Sequence, residues 1–142
     1  MSIPAVSRRG GVLNSDTDRA VLVLLVDDEP MIQELVEVAL DDAGFAVVSA
    51  SSGSEALARF EADAVTFDAV VTDINLGIGP DGWDVARRSR QGNPQIPVVY
   101  ISGASAAEWP NQGVPRSIMI QKPFAPAQIV MAVATLLNTR PT

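Results

Sequence analysis

The sequence predicts an α/β domain built on a five-stranded parallel sheet with helices on both faces. Three observations carry that expectation. Strand-length apolar segments alternate with segments of helical periodicity, which implies right-handed βαβ crossovers. The strand segments are apolar on both faces instead of alternating, as in a sheet covered from each side. The runs stop at carboxylates, a Ser-Gly pair or a Lys-Pro pair, and open α/β sheets gather their ligand groups at that edge.

Residues 1 to 18 are polar and Gly/Ser-rich without sustained periodicity, and are expected to be a flexible arm preceding a domain over 19–142. The first strand is the apolar run Val21 to Val26, stopped by Asp27-Asp28-Glu29-Pro30. Pro30 suits the first turn of a helix, where its missing N–H costs nothing. Ile32, Leu35, Val36, Ala39, Leu40 and Ala43 follow at helical spacing, and Gly44 closes the helix. Phe45 to Ala50 is the second strand. Ser52 and Glu55 have capping-box spacing, and Ala56, Leu57 and Phe60 form the apolar side of the second helix.

The third strand, Phe67 to Asp73, ends on a carboxylate before the turn-rich stretch Ile74 to Gly82. Trp83 to Gln91 reads as a short basic helix closed by Gly92-Asn93-Pro94, and Ile96 to Ile101 as the fourth strand, ending at Ser102-Gly103. Between Ala104 and Pro115, Ser105 to Glu108 could cap a helix, but Pro110 and Gly113 cut it to little more than a turn. Ser117 to Gln121 is the fifth strand, ending at Lys122-Pro123-Phe124. The last helix starts near Pro126 and buries Ile129, Val130, Val133, Leu136 and Leu137. The remaining residues, Asn138 to Thr142, are too few for an output domain, and none is expected. Five strands in this alternation favour the flavodoxin-like (βα)5 three-layer sandwich of order 2-1-3-4-5, which sets Asp27, Asp28 and Asp73 side by side at the switch point.

Composition narrows the function. The chain has 142 residues, 47% of them hydrophobic, and mean hydropathy is +0.20, which suits one globular domain. No apolar run approaches a membrane span, and no signal-peptide core opens the chain, so the cytoplasm is the expected location and a membrane is not an expected partner. A net charge of −7 argues against a nucleic-acid face. The sequence has no Cys and no His, which excludes disulfides, thiolate metals, His-ligated metals and Ser-His or Cys-His catalysis.

Carboxylates converging in one crevice repel one another and need a counter-charge. An all-oxygen site suits a hard cation, Mg²⁺ before Mn²⁺ or Ca²⁺, and loop carbonyls such as that of Asn75 could complete it. The plainer reading of Asp27-Asp28-Glu29 is an acidic helix start, and of Asp73 a turn or amide cap. Lys122 is the only lysine among ten basic residues, and a compact ammonium at the mouth of an acidic crevice suits a phosphoryl oxygen. Ser102 adds a hydroxyl. Together these residues describe phosphoryl transfer to a carboxylate, with Asp73 the best nucleophile and Asp27 and Asp28 better placed to hold metal.

At these positions the chain resembles the receiver domain of bacterial two-component response regulators, of the stand-alone CheY-like type. The matching residues are Asp27-Asp28, Asp73, Asp81-Gly82, Ser102 and Lys122-Pro123-Phe124, each at the corresponding strand end or in the loop after it. The resemblance implies that Asp73 accepts a phosphoryl group from a sensor histidine kinase or a histidine phosphotransfer protein. It implies Mg²⁺ held by Asp28, Asp73 and the Asn75 carbonyl with Asp27 assisting, phosphoryl contacts from Lys122 and Ser102, and a cis peptide before Pro123. The chain is then a signalling phosphoacceptor and not an enzyme in the usual sense. It would act on an unidentified downstream protein or drain phosphate, as a monomer or weak dimer.

Four departures from the family pattern stand out. Met119 occupies a position usually aromatic, the loop after Asp73 is slightly longer, the segment from Ser102 to Lys122 is slightly shorter, and Ala125 replaces a polar cap. The rival readings are an interaction module that works without phosphorylation and an aspartyl-phosphate phosphohydrolase. The second would carry an Asp where this chain has Asn75.

Overall fold

A computed structural model describes residues 20–62, 66–103 and 106–139, so the N-terminal arm and the cap expected at Ser105 lie outside the described residues. Five parallel strands, β1 (Leu22–Val26), β2 (Ala46–Ala50), β3 (Ala69–Asp73), β4 (Val98–Ser102) and β5 (Ser117–Gln121), lie in the order β2-β1-β3-β4-β5, as expected. The helices are α1 (Pro30–Asp42), α2 (Gly53–Glu61), α3 (Gly82–Gly92), α4 (Trp109–Gln112) and α5 (Pro126–Thr139).

Alternation along each strand splits the core in two. Val23, Leu25, Val71, Val99 and Ile101 face Val36 and Leu40 of α1 and Ile129, Ala132 and Val133 of α5. Leu24, Val26, Val70, Val98 and Tyr100 face Ala56 of α2 and Trp83, Val85 and Ala86 of α3. Three layers result. β1 and β3 are covered on both sides, so their runs carry no polar alternation before Thr72.

The helix ends follow their local chemistry. Pro30 opens α1, and the Gly44 N–H donates to Asp41 O at 3.0 Å while the Phe45 N–H donates to Leu40 O at 3.0 Å. This is a Schellman closure, and it needs the positive φ of 95° at Gly44. Ser52 caps α2 by accepting the Glu55 N–H at 3.0 Å, but the Glu55 carboxylate returns to the Ser51 N–H instead of the cap residue. A reciprocal capping box, not anticipated, joins Asp81 and Asp84 at the start of α3.

Several expectations need correction. Leu35 is 48% exposed and Ala43 is exposed, because the core-facing stripe of α1 runs through half-buried Ile32 and buried Val36 and Leu40, and these two fall outside it. On α5 the fully buried set is Ile129, Ala132 and Val133, with Val130, Leu136 and Leu137 only half-buried at its margins. The missing cap at Ala125 is partly offset, since the Gln128 side chain accepts the Ala125 N–H at 2.7 Å. The fourth helix is indeed a single turn, preceded by a 3-10 turn over Ala106–Glu108.

Candidate functional site

The site is assembled at the carboxyl edge of β1, β3, β4 and β5. The Asp27 N–H donates to Ala50 O at 3.1 Å, which carries the β1–β2 pairing one residue past β1 and holds Asp27 in the sheet. Asp73 is the last residue of β3 and Ser102 the last of β4; both are buried. The Lys122 N–H donates to Ser102 O at 2.8 Å, so the β4–β5 pairing continues through the lysine. The Lys122–Pro123 peptide is cis.

The two buried aspartates are held alike. Asp27 Oδ1 accepts the Glu29 N–H at 2.8 Å, and Asp73 Oδ1 accepts the Asn75 N–H at 3.3 Å. Each thus makes the short-range amide bond of an Asx turn, so the plainer reading of both residues is true of one oxygen. The second oxygens differ. Asp73 Oδ2 accepts from Lys122 Nζ at 3.1 Å, whereas Asp27 Oδ2 is buried and accepts no hydrogen bond.

Asp28 and Asn75 are exposed at the rim, and carboxylate oxygens of Asp27, Asp28, Glu29 and Asp73 lie within 4.8 Å of one another. Glu29 is more than an acidic helix start: its side chain makes no cap bond and instead pairs with Lys122 Nζ at 2.9 Å. Its value as an ion pair is small, because Glu29 is 58% exposed.

Electrostatics follow from this crowding. Burial pushes the Asp27 carboxyl up to about 6, opposed by its amide bond and reinforced by the Asp73 charge. Burial also raises Asp73, although the Lys122 ammonium pulls the other way. Lys122 is held above its ordinary value: hydrogen bonds to Glu29 and Asp73 outweigh the desolvation that would lower it. One ammonium among several carboxylates compensates each only in part. An orphaned buried carboxylate oxygen in an all-oxygen donor set fits a hard divalent cation, held directly or through water.

Stability therefore depends on pH through Asp27. The folded state holds this carboxyl at about 6 against an ordinary 3.8, so it binds the proton more tightly than the unfolded chain. The stabilisation from this group is present below about pH 4 and lost as pH rises through about 6. A cation on the ionised carboxylates acts in the opposite sense. The rise in Tm on adding Mg²⁺ in place of EDTA is expected to grow between about pH 5 and 7. A constant increment across that range would exclude Asp27 from cation binding.

Two glycines position the loop after Asp73. A Cβ on Gly82 would collide with the Asp73 carbonyl oxygen and come within 2.7 Å of Ile74 Cα; the Gly82 N–H donates to Ile74 O at 2.8 Å. A Cβ on Gly53 would collide with the Pro80 carbonyl. The loop is thus pressed between the first turns of α2 and α3, and Gly77 and Gly79 turn within it at φ 76° and 97°. Ser52-Gly53 and Asp81-Gly82 are visible in the chain as pairs, but nothing local to either pair tells what approaches the glycine.

Over residues 23–134 the sequence matches the family described as response regulator receiver domain. It is 33% identical over 123 residues to the probable transcriptional regulatory protein TcrX of Mycobacterium tuberculosis, which covers 83% of this chain and 50% of TcrX. The chain spans about half the length of the first curated relatives it matches. A response regulator receiver protein from Sinorhizobium medicae has a similar structure, with TM-score 0.82 and 48% identity over 86% of this chain and 98% of that one. The chemotaxis protein CheY4 of Vibrio cholerae aligns with TM-score 0.73 and 27% identity over 83% of this chain and 99% of that one.

Proposed function

The chain belongs to the response regulator receiver domain family, and from that premise we propose that it is a response regulator receiver phosphorylated on Asp73. The observation that carries this reading is the setting of Asp73. It is a buried carboxylate at the end of a central strand, with one oxygen on the Asn75 amide and the other on Lys122, beside the acidic pair Asp27 and Asp28.

The donor is the phosphohistidine of a sensor kinase or of a histidine phosphotransfer protein. A carboxylate oxygen of Asp73 attacks phosphorus, the P–N bond breaks with its electron pair returning to the donor imidazole, and an acyl phosphate remains on Asp73. Lys122 Nζ already lies on Asp73 Oδ2 and keeps its charge near the incoming phosphoryl oxygens. The Ser102 side chain offers its hydroxyl to the same group from the neighbouring strand end. A Mg²⁺ ion, when held by Asp27, Asp28, Asp73 and the Asn75 carbonyl, supplies the charge neutralisation that lets two anions meet.

The phosphorylated domain acts through altered protein contacts or as a phosphate sink, in the cytoplasm, as a monomer or weak dimer. Among the described residues no helix is long and apolar enough to cross a membrane. The one-turn α4 offers little helical surface for pairing.

Intact-protein mass after incubation with acetyl phosphate tests the reading. One phosphoryl group is expected with Mg²⁺, none with EDTA, and none in Asp73→Asn under either condition. Labelling that persisted in Asp73→Asn would place the acceptor elsewhere. No labelling of the wild type would favour a domain that binds partners without phosphorylation.

A further inference from the structure

A continuous path of packed and hydrogen-bonded groups leaves the Asp73 loop and ends at the surface. Gly82 abuts the Asp73 carbonyl, and the next residue, Trp83, packs its ring on Tyr100 with centroids 4.7 Å apart and planes at 59°. Tyr100 is fully buried on β4, two residues before Ser102 and therefore on the same face of the sheet. Its hydroxyl accepts the Val114 N–H at 3.1 Å. The Val114 carbonyl accepts the Ser117 hydroxyl at 2.7 Å, and Ser117 Oγ in turn accepts the Trp109 indole N–H at 3.0 Å. Trp109 belongs to the single turn of α4, with its indole packed on Gly113. Met119, opposite Tyr100 on β5, is half-buried in the same cluster and its thioether has no hydrogen to donate.

We propose that Tyr100 couples the state of Asp73 to the turn bearing Trp109, an inference that rests on Asp73 being the phosphoacceptor. Phosphorylation changes the charge and hydrogen bonding of the loop pressed between Asp73 and Gly82. Trp83 transmits the displacement to the Tyr100 ring, and the phenol releases the Val114 amide. A buried hydroxyl without a partner is costly, so it either holds Val114 or reaches another partner. Intermediate positions are penalised, which makes the element two-state. Release frees Val114 and with it the Ser117–Trp109 link, so the surface around α4 is what changes.

The test is amide hydrogen exchange by NMR on the full chain, with Mg²⁺ and beryllofluoride as the phosphoryl mimic and bound ¹⁹F signal reporting occupancy. Exchange of the Val114 amide is expected to quicken at least about fivefold on loading. In Tyr100→Phe the same amide exchanges fast from the start and does not respond. By reciprocity, the beryllofluoride affinity of that variant shifts by the factor lost at Val114. Should Tyr100→Phe not fold, Ser117→Ala replaces it: the Val114 response remains while the Trp109 indole proton stops responding. Full loading with unchanged Val114 exchange, or a wild-type response in Tyr100→Phe, overturns the coupling alone. Failure to load at Asp73 overturns the coupling together with the phosphoacceptor reading.

Discussion

Gly82→Ala is expected to destabilise the domain by about 3 kcal/mol and to suppress Mg²⁺-dependent labelling of Asp73. Two effects compete. Alanine in the first turn of α3 gains up to about 1 kcal/mol of helix propensity. Against that, the new methyl meets backbone on both approaches, the Asp73 carbonyl oxygen and, at 2.7 Å, Ile74 Cα. Backbone at the end of a central strand cannot swing aside as a lysine tip would. The strain therefore falls on the peptide that aims Asp73. Gly103→Ala is the control, because its added methyl would lie 3.9 Å from its nearest neighbour, Lys122 Cδ. That change is expected within about 0.5 kcal/mol of wild type. Urea unfolding of both variants decides the matter. A Gly82→Ala protein as stable as Gly103→Ala would show that the loop is not clamped as described.

The second large effect is expected for Lys122→Met, which keeps the stem and removes the charge. Asp73, whose side chain is 4% exposed, would lose its ammonium partner, and Asp27 would remain buried beside it. Breaking such a pair costs several kcal/mol when both partners are buried. Lys122 keeps 24% of its side chain in solvent, so about 2 kcal/mol is expected in the metal-free protein. The Glu29 arm of the pair adds nothing measurable. Acetyl phosphate labelling should fall by about a hundredfold or more, as when a preorganised cation is removed from a charged transition state. Two rescues separate this from simple misfolding. Mg²⁺ should stabilise Lys122→Met more than wild type, and adding Asp73→Asn should restore metal-free stability. A variant that loses stability yet gains from neither would refute the charge argument.

Much of this architecture is written locally in the chain. Continuous apolar runs, Pro30 and Gly44 specify strands and the limits of α1 through rules that act over a few residues, and strand order follows from alternation and the hand of the crossover. Asp27, Asp73, Ser102 and Lys122 are legible because each stands where an apolar run stops, and a strand end is a position the sequence displays. Helix faces are less legible, since periodicity places Leu35 beside Val36 without saying where the neighbouring helix ends. Long-range approach is not legible at all. That Gly82 lies under the Asp73 carbonyl, that Glu29 reaches Lys122 across the site, and that Tyr100 holds Val114 depend on which atoms the sheet brings together. Local pattern was thus enough for the α/β framework and for the edge at which Asp27, Asp73, Ser102 and Lys122 gather. It could not tell which carboxylate oxygen has a partner and which has none. That pairing is set by distances between strands, and those exist only once the chain has folded.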